Sequence, residues 1–221
     1  MKLFLDTANL EFIKKWTDTG IINGITTNPT HLAKEGGDPT KQVKEICALM
    51  KPHGDVSVEV TEVAPEAAYK QAHEIAKLDS NIVVKVPCAA EYYMTIKRLV
   101  SDGLKINATL VFSLEQSLMM AKLGVLYISP FIGRLDDIGA DGQALIEEIR
   151  TMLNLYDYQS QLLAASIRTV SHVHNVMLAG ADIATVPISV FEKMMKHPLT
   201  EKGMKLFNAD WQKLNIKKFP A

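Results

Sequence analysis

A lysine set in a run of β-branched residues is the position in this chain best placed to do chemistry. Lys85 lies within Ile82-Val83-Val84-Lys85-Val86-Pro87, which reads as a parallel strand buried on both faces. Burial disfavours an ammonium, and a lysine that gives up its proton near neutral pH is a nucleophilic amine able to condense with a carbonyl. The competing reading is a lysine that snorkels out at the strand mouth or pairs with a carboxylate. Lys2 and Lys105 sit at the starts of other strand patterns, on the opposite rim, where solvation is easy. Two acids at strand positions, Asp6 and Glu59, suit general acid/base work, or one of them does no more than pair with Lys85. Arg134, Ser166 and Arg168 follow two later strand patterns, and two guanidinium groups with a hydroxyl suit an anionic substrate. A buried alanine carries no charge, so Lys85→Ala is expected to keep the fold.

These residues need a scaffold that gathers strand ends at one place. Short β-branched runs alternate with amphipathic stretches throughout. The strand patterns are Leu3–Asp6, Gly24–Thr27, Val56–Val60, Ile82–Val86, Lys105–Val111, Val125–Ser129, Gln161–Ala165 and Ile183–Pro187. Helical patterns follow them at Leu10–Thr17, Thr40–Met50, Pro65–Leu78, Glu91–Val100, Leu114–Leu123, Leu145–Tyr156, Thr169–Leu178 and Val190–Lys196. Eight such units in 221 residues, at roughly 28 residues each, predict an α/β fold, a single (β/α)8 TIM barrel spanning residues 1–221. A doubly wound open sheet uses the same units and is the competing architecture. An additional C-terminal helix, Thr200–Leu214, has no strand of its own to cover, and its Leu206, Phe207 and Trp211 are free to pack on the barrel or on a neighbouring subunit. Active sites of such barrels form where strands end. The exits here are polar: Asp6, Thr26-Thr27-Asn28, Glu59, Lys85, Asn107 with Thr109, Ser129-Pro130-Phe131 leading to Arg134, and Ser166 leading to Arg168.

Composition narrows the partners. A net charge of -1 leaves no chain-wide basic field for nucleic acid or an anionic membrane. No run approaches the ~18 apolar residues of a membrane span, and the apolar N-terminal run meets Asp6 too early for a signal peptide. With only two cysteines, a reduced and cytoplasmic setting is expected. No His, Cys and carboxylate spacing marks a metal site, so no catalytic metal is expected. The glycine-rich stretch Gly133–Gly142 fits neither a dinucleotide fingerprint nor a P-loop and reads as a flexible loop.

Six stretches also resemble a known family, in order and over nearly the whole chain. They are Leu3-Phe4-Leu5-Asp6-Thr7, Gly24-Ile25-Thr26-Thr27-Asn28-Pro29, Val83-Val84-Lys85-Val86-Pro87, Asn107-Ala108-Thr109, Ser129-Pro130-Phe131-Ile132-Gly133-Arg134 and Ala164-Ala165-Ser166-Ile167-Arg168. The family is that of the transaldolases, in the short subfamily that also includes fructose 6-phosphate aldolase. The resemblance implies a Schiff base between Lys85 and a ketose phosphate, with Asp6 as the base at the C4 hydroxyl. Glu59 would move protons through a water that Thr109 also holds. Thr26, Asn28, Asn107 and Ser129 would meet the donor sugar, and Arg134, Ser166 and Arg168 its phosphate. It further implies no cofactor, sugar phosphates as partners, and a homo-oligomer in which two pentameric rings form a decamer. In the aldolase branch a tyrosine stands at the place of Phe131, a glutamine at that of Glu59 and an alanine at that of Ser129. All three positions here resemble the transferase branch, which implies a transaldolase. The alternative is a fructose 6-phosphate aldolase-like enzyme that cleaves without an acceptor. A catalytically silent sugar-phosphate-binding barrel would lack the lysine or an acid, and this chain has both.

Overall fold

The structure is a computed structural model and describes residues 1–214 together with Ile216 and Phe219. Its strands are β1 (Lys2–Asp6), β2 (Gly24–Thr26), β3 (Asp55–Glu59), β4 (Ile82–Pro87), β5 (Ile106–Val111), β6 (Tyr127–Pro130), β7 (Gln161–Ala164) and β8 (Ile183–Val186). They pair in parallel in sequence order, and β8 returns to β1, so the sheet closes into a barrel. The open doubly wound alternative is thereby excluded. Each strand lies within two residues of its sequence pattern because period and turn chemistry agree locally.

Alternation along the strands divides the core in two. Leu5, Ile25, Val58, Val84, Ile106, Ile128, Leu162, Ala184 and their neighbours form one buried cluster with residues of the surrounding helices. The alternate positions Phe4, Val83, Tyr127, Leu163 and Ile183 form a second cluster, with the Phe4 and Tyr127 rings edge to face at 6.0 Å. This second set is an apolar plug inside the barrel. Gly24 makes room for it, because a Cβ there would collide with the Phe4 ring. At the plug's lower edge the Tyr127 hydroxyl donates to Asp55 at 2.6 Å, and burial foremost, then Asp55, pushes that phenol far above its ordinary pKa. Lys105 meets Asp55 at 3.1 Å on the same rim.

The helices are α1 (Leu10–Thr17), α2 (Pro29–Glu35), α3 (Pro39–Met50), α4 (Pro65–Ala76), α5 (Tyr93–Ser101, after a 3-10 turn at Ala90–Tyr92), α6 (Leu114–Leu123), α7 (Ile132–Asp137), α8 (Gly142–Leu155), α9 (Val170–Leu178), α10 (Ile188–Met194) and α11 (Pro198–Gln212). No helix of the described residues is long and apolar enough to cross a membrane. Two elements depart from the sequence reading. Helix α2 had no counterpart there, because none of its residues is buried and no apolar period shows. What starts it is local: Asn28 caps the His31 N–H at 2.9 Å and Pro29 occupies the first turn. The flexible loop expected over Gly133–Gly142 is corrected. Ile132–Asp137 is helix α7, Ile132 and Leu135 bury one face, and Gly142 already opens α8, which Asp141 caps through Ala144 N at 2.9 Å. The glycines concealed that spacing of three. Helix α11 has no buried residue along its 15 positions.

Candidate active site

Above the plug, at the C-terminal ends of the strands, a cavity of about 120 Å³ is bordered by Asp6, Thr26, Asn28, Lys85, Asn107, Ser129, Phe131, Arg134 and Ser166, and also by Leu163, Ala165 and Thr185. Strand register brings them there, since Glu59, Lys85 and Asn107 are aligned across β3, β4 and β5, and Asp6 is aligned with Thr26 across β1 and β2. Lys85 does not snorkel out. Its Nζ lies 2.9 Å from Glu59 Oε2 and donates to the Thr27 carbonyl at 3.4 Å, with the side chains 6% and 14% exposed. Lys85 is thus buried as its strand position implies, and of the two competing readings it takes the carboxylate pair. The pair also corrects the expectation for Lys85→Ala, which would strand a largely buried carboxylate rather than leave nothing unpaired.

Polar groups around the cavity are held in two separate hydrogen-bonded sets. Asn107 donates from Nδ2 to Ser57 Oγ at 3.1 Å, and its Oδ1 accepts from Ser129 Oγ at 2.6 Å. Asp6 Oδ1 accepts from Thr26 Oγ1 at 2.8 Å, and Thr26 shares a second hydrogen bond with Thr185 at 2.6 Å. Thr109 does not border the cavity, and its hydroxyl is buried without a protein hydrogen-bond partner. The next residue, Leu110, has φ +57°, where the β5–β6 register slips between Ala108 and Val111. A bulge of this kind re-aims side chains at the cost of local strain.

The Lys85 Nζ is 5.8 Å from the centre of the Phe131 ring, and the Arg134 guanidinium lies 5.0 Å from the same ring. Ser166 adopts φ +60°, rare for a residue with a side chain. Gly133 permits its close approach, because a Cβ there would meet the Ser166 carbonyl oxygen and the Arg168 side chain. Glu59, Thr109 and Arg168 are the sequence-named residues that the structure leaves off the cavity wall, and Arg168 is turned to another partner. Its guanidinium makes two contacts to Asp137, at 2.8 and 3.3 Å. Sequence reasoning missed Asp137, Ser57 and Thr185 as partners of site residues. For Ser57 and Thr185 the signal was a hydroxyl at an inward strand position, and for Asp137 it lay in the unrecognised helix α7.

Other chemistries find less support. Burial pushes the Cys47 thiol up to about 12 and the Cys88 thiol to about 11, so neither offers a thiolate. Among the described residues no three His, Cys, Asp or Glu side chains gather around a point where a metal could sit.

Comparison with known proteins agrees with this geometry. The family described as Transaldolase/Fructose-6-phosphate aldolase matches residues 3–218. A protein named probable transaldolase from Maridesulfovibrio salexigens is 48% identical over 214 residues, covering 97% of this chain and 99% of that one. Another of that name from Streptococcus pyogenes serotype M5 is 47% identical over 211 residues, covering 96% of this chain and 98% of its own.

Proposed function

Because this chain belongs to the transaldolase/fructose-6-phosphate aldolase family, we propose that its barrel mouth transfers a dihydroxyacetone unit from a ketose phosphate to an aldose phosphate through a Schiff base on Lys85. The protein is an enzyme, a transferase of the transaldolase type. The observation that carries the mechanism is a buried lysine held by one carboxylate, Glu59, and bordering a cavity that a second, Asp6, also borders.

Glu59 takes the ammonium proton, and the free amine adds to the C2 carbonyl of the donor. Loss of water from that adduct, with Glu59 and Thr109 handling the water and its protons, leaves a protonated imine. Asp6 then removes the C4 hydroxyl proton, the C3–C4 bond breaks, and its electron pair flows into the imine to give an enamine while an aldose phosphate departs. C3 of the enamine adds to the carbonyl of the acceptor aldose, Asp6 returns its proton, and water releases the new ketose. Asn28, Asn107, Ser129 and Thr26 orient the donor's hydroxyl groups, so positioning and an electron sink supply the catalysis. Sedoheptulose 7-phosphate and fructose 6-phosphate are the proposed donors, with glyceraldehyde 3-phosphate and erythrose 4-phosphate as acceptors. The proposed setting is the pentose phosphate pathway in the cytoplasm, in keeping with two free, buried cysteines.

Borohydride added with fructose 6-phosphate is expected to fix a reduced three-carbon adduct on Lys85, seen by peptide mass spectrometry. Label on a different lysine in an active preparation sinks the assignment. Rapid cleavage of fructose 6-phosphate without any acceptor would favour the aldolase reading instead.

Arg134, Ser166 and Arg168 are the proposed phosphate ligands. Removing one charge-assisted bond should raise KM for phosphorylated substrates by roughly 10- to 100-fold and leave unphosphorylated fructose nearly unaffected. Arg134→Ala is expected to exceed Arg168→Ala, because Arg134 already borders the cavity while Arg168 must leave Asp137. Equal effects on both substrate types would remove these arginines from the phosphate site.

We also propose a homo-oligomer, a decamer of two pentamers, with α11 packing on an adjacent protomer. Leu199, Met204, Leu206, Phe207 and Trp211 are all exposed on a helix that buries nothing. A chain ended at His197 should lose the full-length oligomer mass in light scattering. An unchanged stoichiometry would show that α11 is not the clamp.

A further inference from the structure

His31 stands beside two of the groups given roles above. It belongs to the first turn of α2, and the cap from Asn28 to its N–H fixes where the ring sits. Its Nδ1 has two neighbours, the Asn28 side-chain nitrogen at 3.3 Å and the Asp6 Oδ1 at 3.6 Å. One imidazole nitrogen cannot serve both. Unprotonated it accepts from the amide, and protonated it donates to the carboxylate. A neutral ring can present either a bare or a protonated Nδ1, whereas an imidazolium carries protons on both nitrogens and can only donate, to Asp6.

The surroundings leave the ring few other choices. His31 and Asp6 border a cleft of about 450 Å³ beside the catalytic cavity, and their side chains are 25% and 23% exposed, enough to screen an ion pair without erasing it. The other charged groups on that cleft are Lys34 and Glu35 of α2 and Glu192 of α10. Glu35 is taken up by the Asn9 amide at 3.2 Å. Among the described residues, Asp6 is the acid that pairs with the ring.

We propose that His31 is a positioning residue for the transfer reaction: neutral, it holds the Asn28 amide in place, and protonated, it turns to Asp6 and withdraws the base. This rests on Asp6 being the base in the reading above. His31 lies apart from Arg134 and Ser166, which border the other cavity, so its effect falls on turnover rather than on phosphate binding.

Rates of wild type, His31→Leu and His31→Gln measured between pH 6 and 8.5 test this. His31→Leu deprives the amide of its partner and should lower kcat at about pH 8.5 by roughly 3- to 10-fold, with the donor KM within about twofold. It should also flatten the fall in rate toward acid pH. His31→Gln offers an oxygen to the amide but takes no proton, so it should regain kcat at high pH and keep the flattened profile. If both variants retain the wild-type pH profile, the proposal is overturned. A second measurement does not need turnover. Melting temperatures of wild type, Asp6→Asn, His31→Leu and the double variant should be more strongly non-additive at pH 6 than at pH 8.5, by about 1–3 °C. The sign follows because the ion pair is present only while the ring carries both protons, and a neutral ring offers Asp6 at most a weaker, uncharged donor. Additivity at both pH values overturns the pairing. Absence of the Lys85 adduct in wild type would instead count against the Schiff-base mechanism, while the melting cycle would still report the contact.

Discussion

Lys85→Ala is expected to abolish the borohydride adduct and to lower transfer activity by about 10⁴-fold or more, because no other group near C2 can form the imine. Its cost in stability should also be large. Wild-type Glu59 keeps its partner at 2.9 Å in a largely buried setting, and removing one member of such a pair costs about 3–5 kcal/mol. At about 2–4 °C per kcal/mol for a chain of this size, the lower end of that range already predicts a melting point down by about 6–12 °C. The companion variant Lys85→Met with Glu59→Gln replaces the pair by neutral groups of similar volume and should regain most of that loss while remaining inactive. Calorimetry on the single and double variants separates the two effects. If they melt alike, Glu59 is not stranded by loss of the lysine, and if Lys85→Ala still traps substrate, Lys85 is not the nucleophile.

Phe131→Tyr should convert part of the transfer activity into simple cleavage. The ring borders the cavity, with its centre 5.8 Å from the Lys85 Nζ, so a para hydroxyl adds a proton donor close to where the enamine would form. Protonation at C3 ends the lifetime of the enamine and frees dihydroxyacetone after hydrolysis. Acceptor-free formation of glyceraldehyde 3-phosphate from fructose 6-phosphate is expected to rise at least about tenfold, with transfer falling, which corresponds to about 1.4 kcal/mol in barrier. Ring packing on Phe112 at 6.0 Å is retained, so the melting point should move by no more than about 3 °C. A well-folded variant with no gain in cleavage would mean that the wild-type phenyl ring does not govern the fate of the enamine.

The strands and most helices were legible because their signals are local. A continuous β-branched run announced β4 and spacing of three and four announced α4, and the structure keeps both. Lys85 was legible for the same reason, as a charge breaking an apolar run. Its partner was not: pairing with Glu59 depends on the β3–β4 register, a relation between segments 26 residues apart. Helix α7 was hidden because its apolar positions are only Ile132 and Leu135 amid glycines and acids, and with it went the contact of Asp137 to Arg168. His31 shows the remaining limit. Nothing in Thr30-His31-Leu32 marks that ring, and only the cap on Asn28 and the closure of β1 against β2 bring it to Asp6.

The apolar plug of Phe4, Val83, Tyr127, Leu163 and Ile183 does more than fill the barrel. It occupies the barrel beneath the cavity, so in the proposed reaction both aldehydes meet Lys85 on the side of the strand exits. With a three-carbon fragment bonded to Lys85 between the two steps of the proposed reaction, the two aldehydes take turns. The order of events is therefore a shuttle, in which the enzyme itself is alternately loaded and unloaded, and the identity of the first substrate is forgotten before the second arrives.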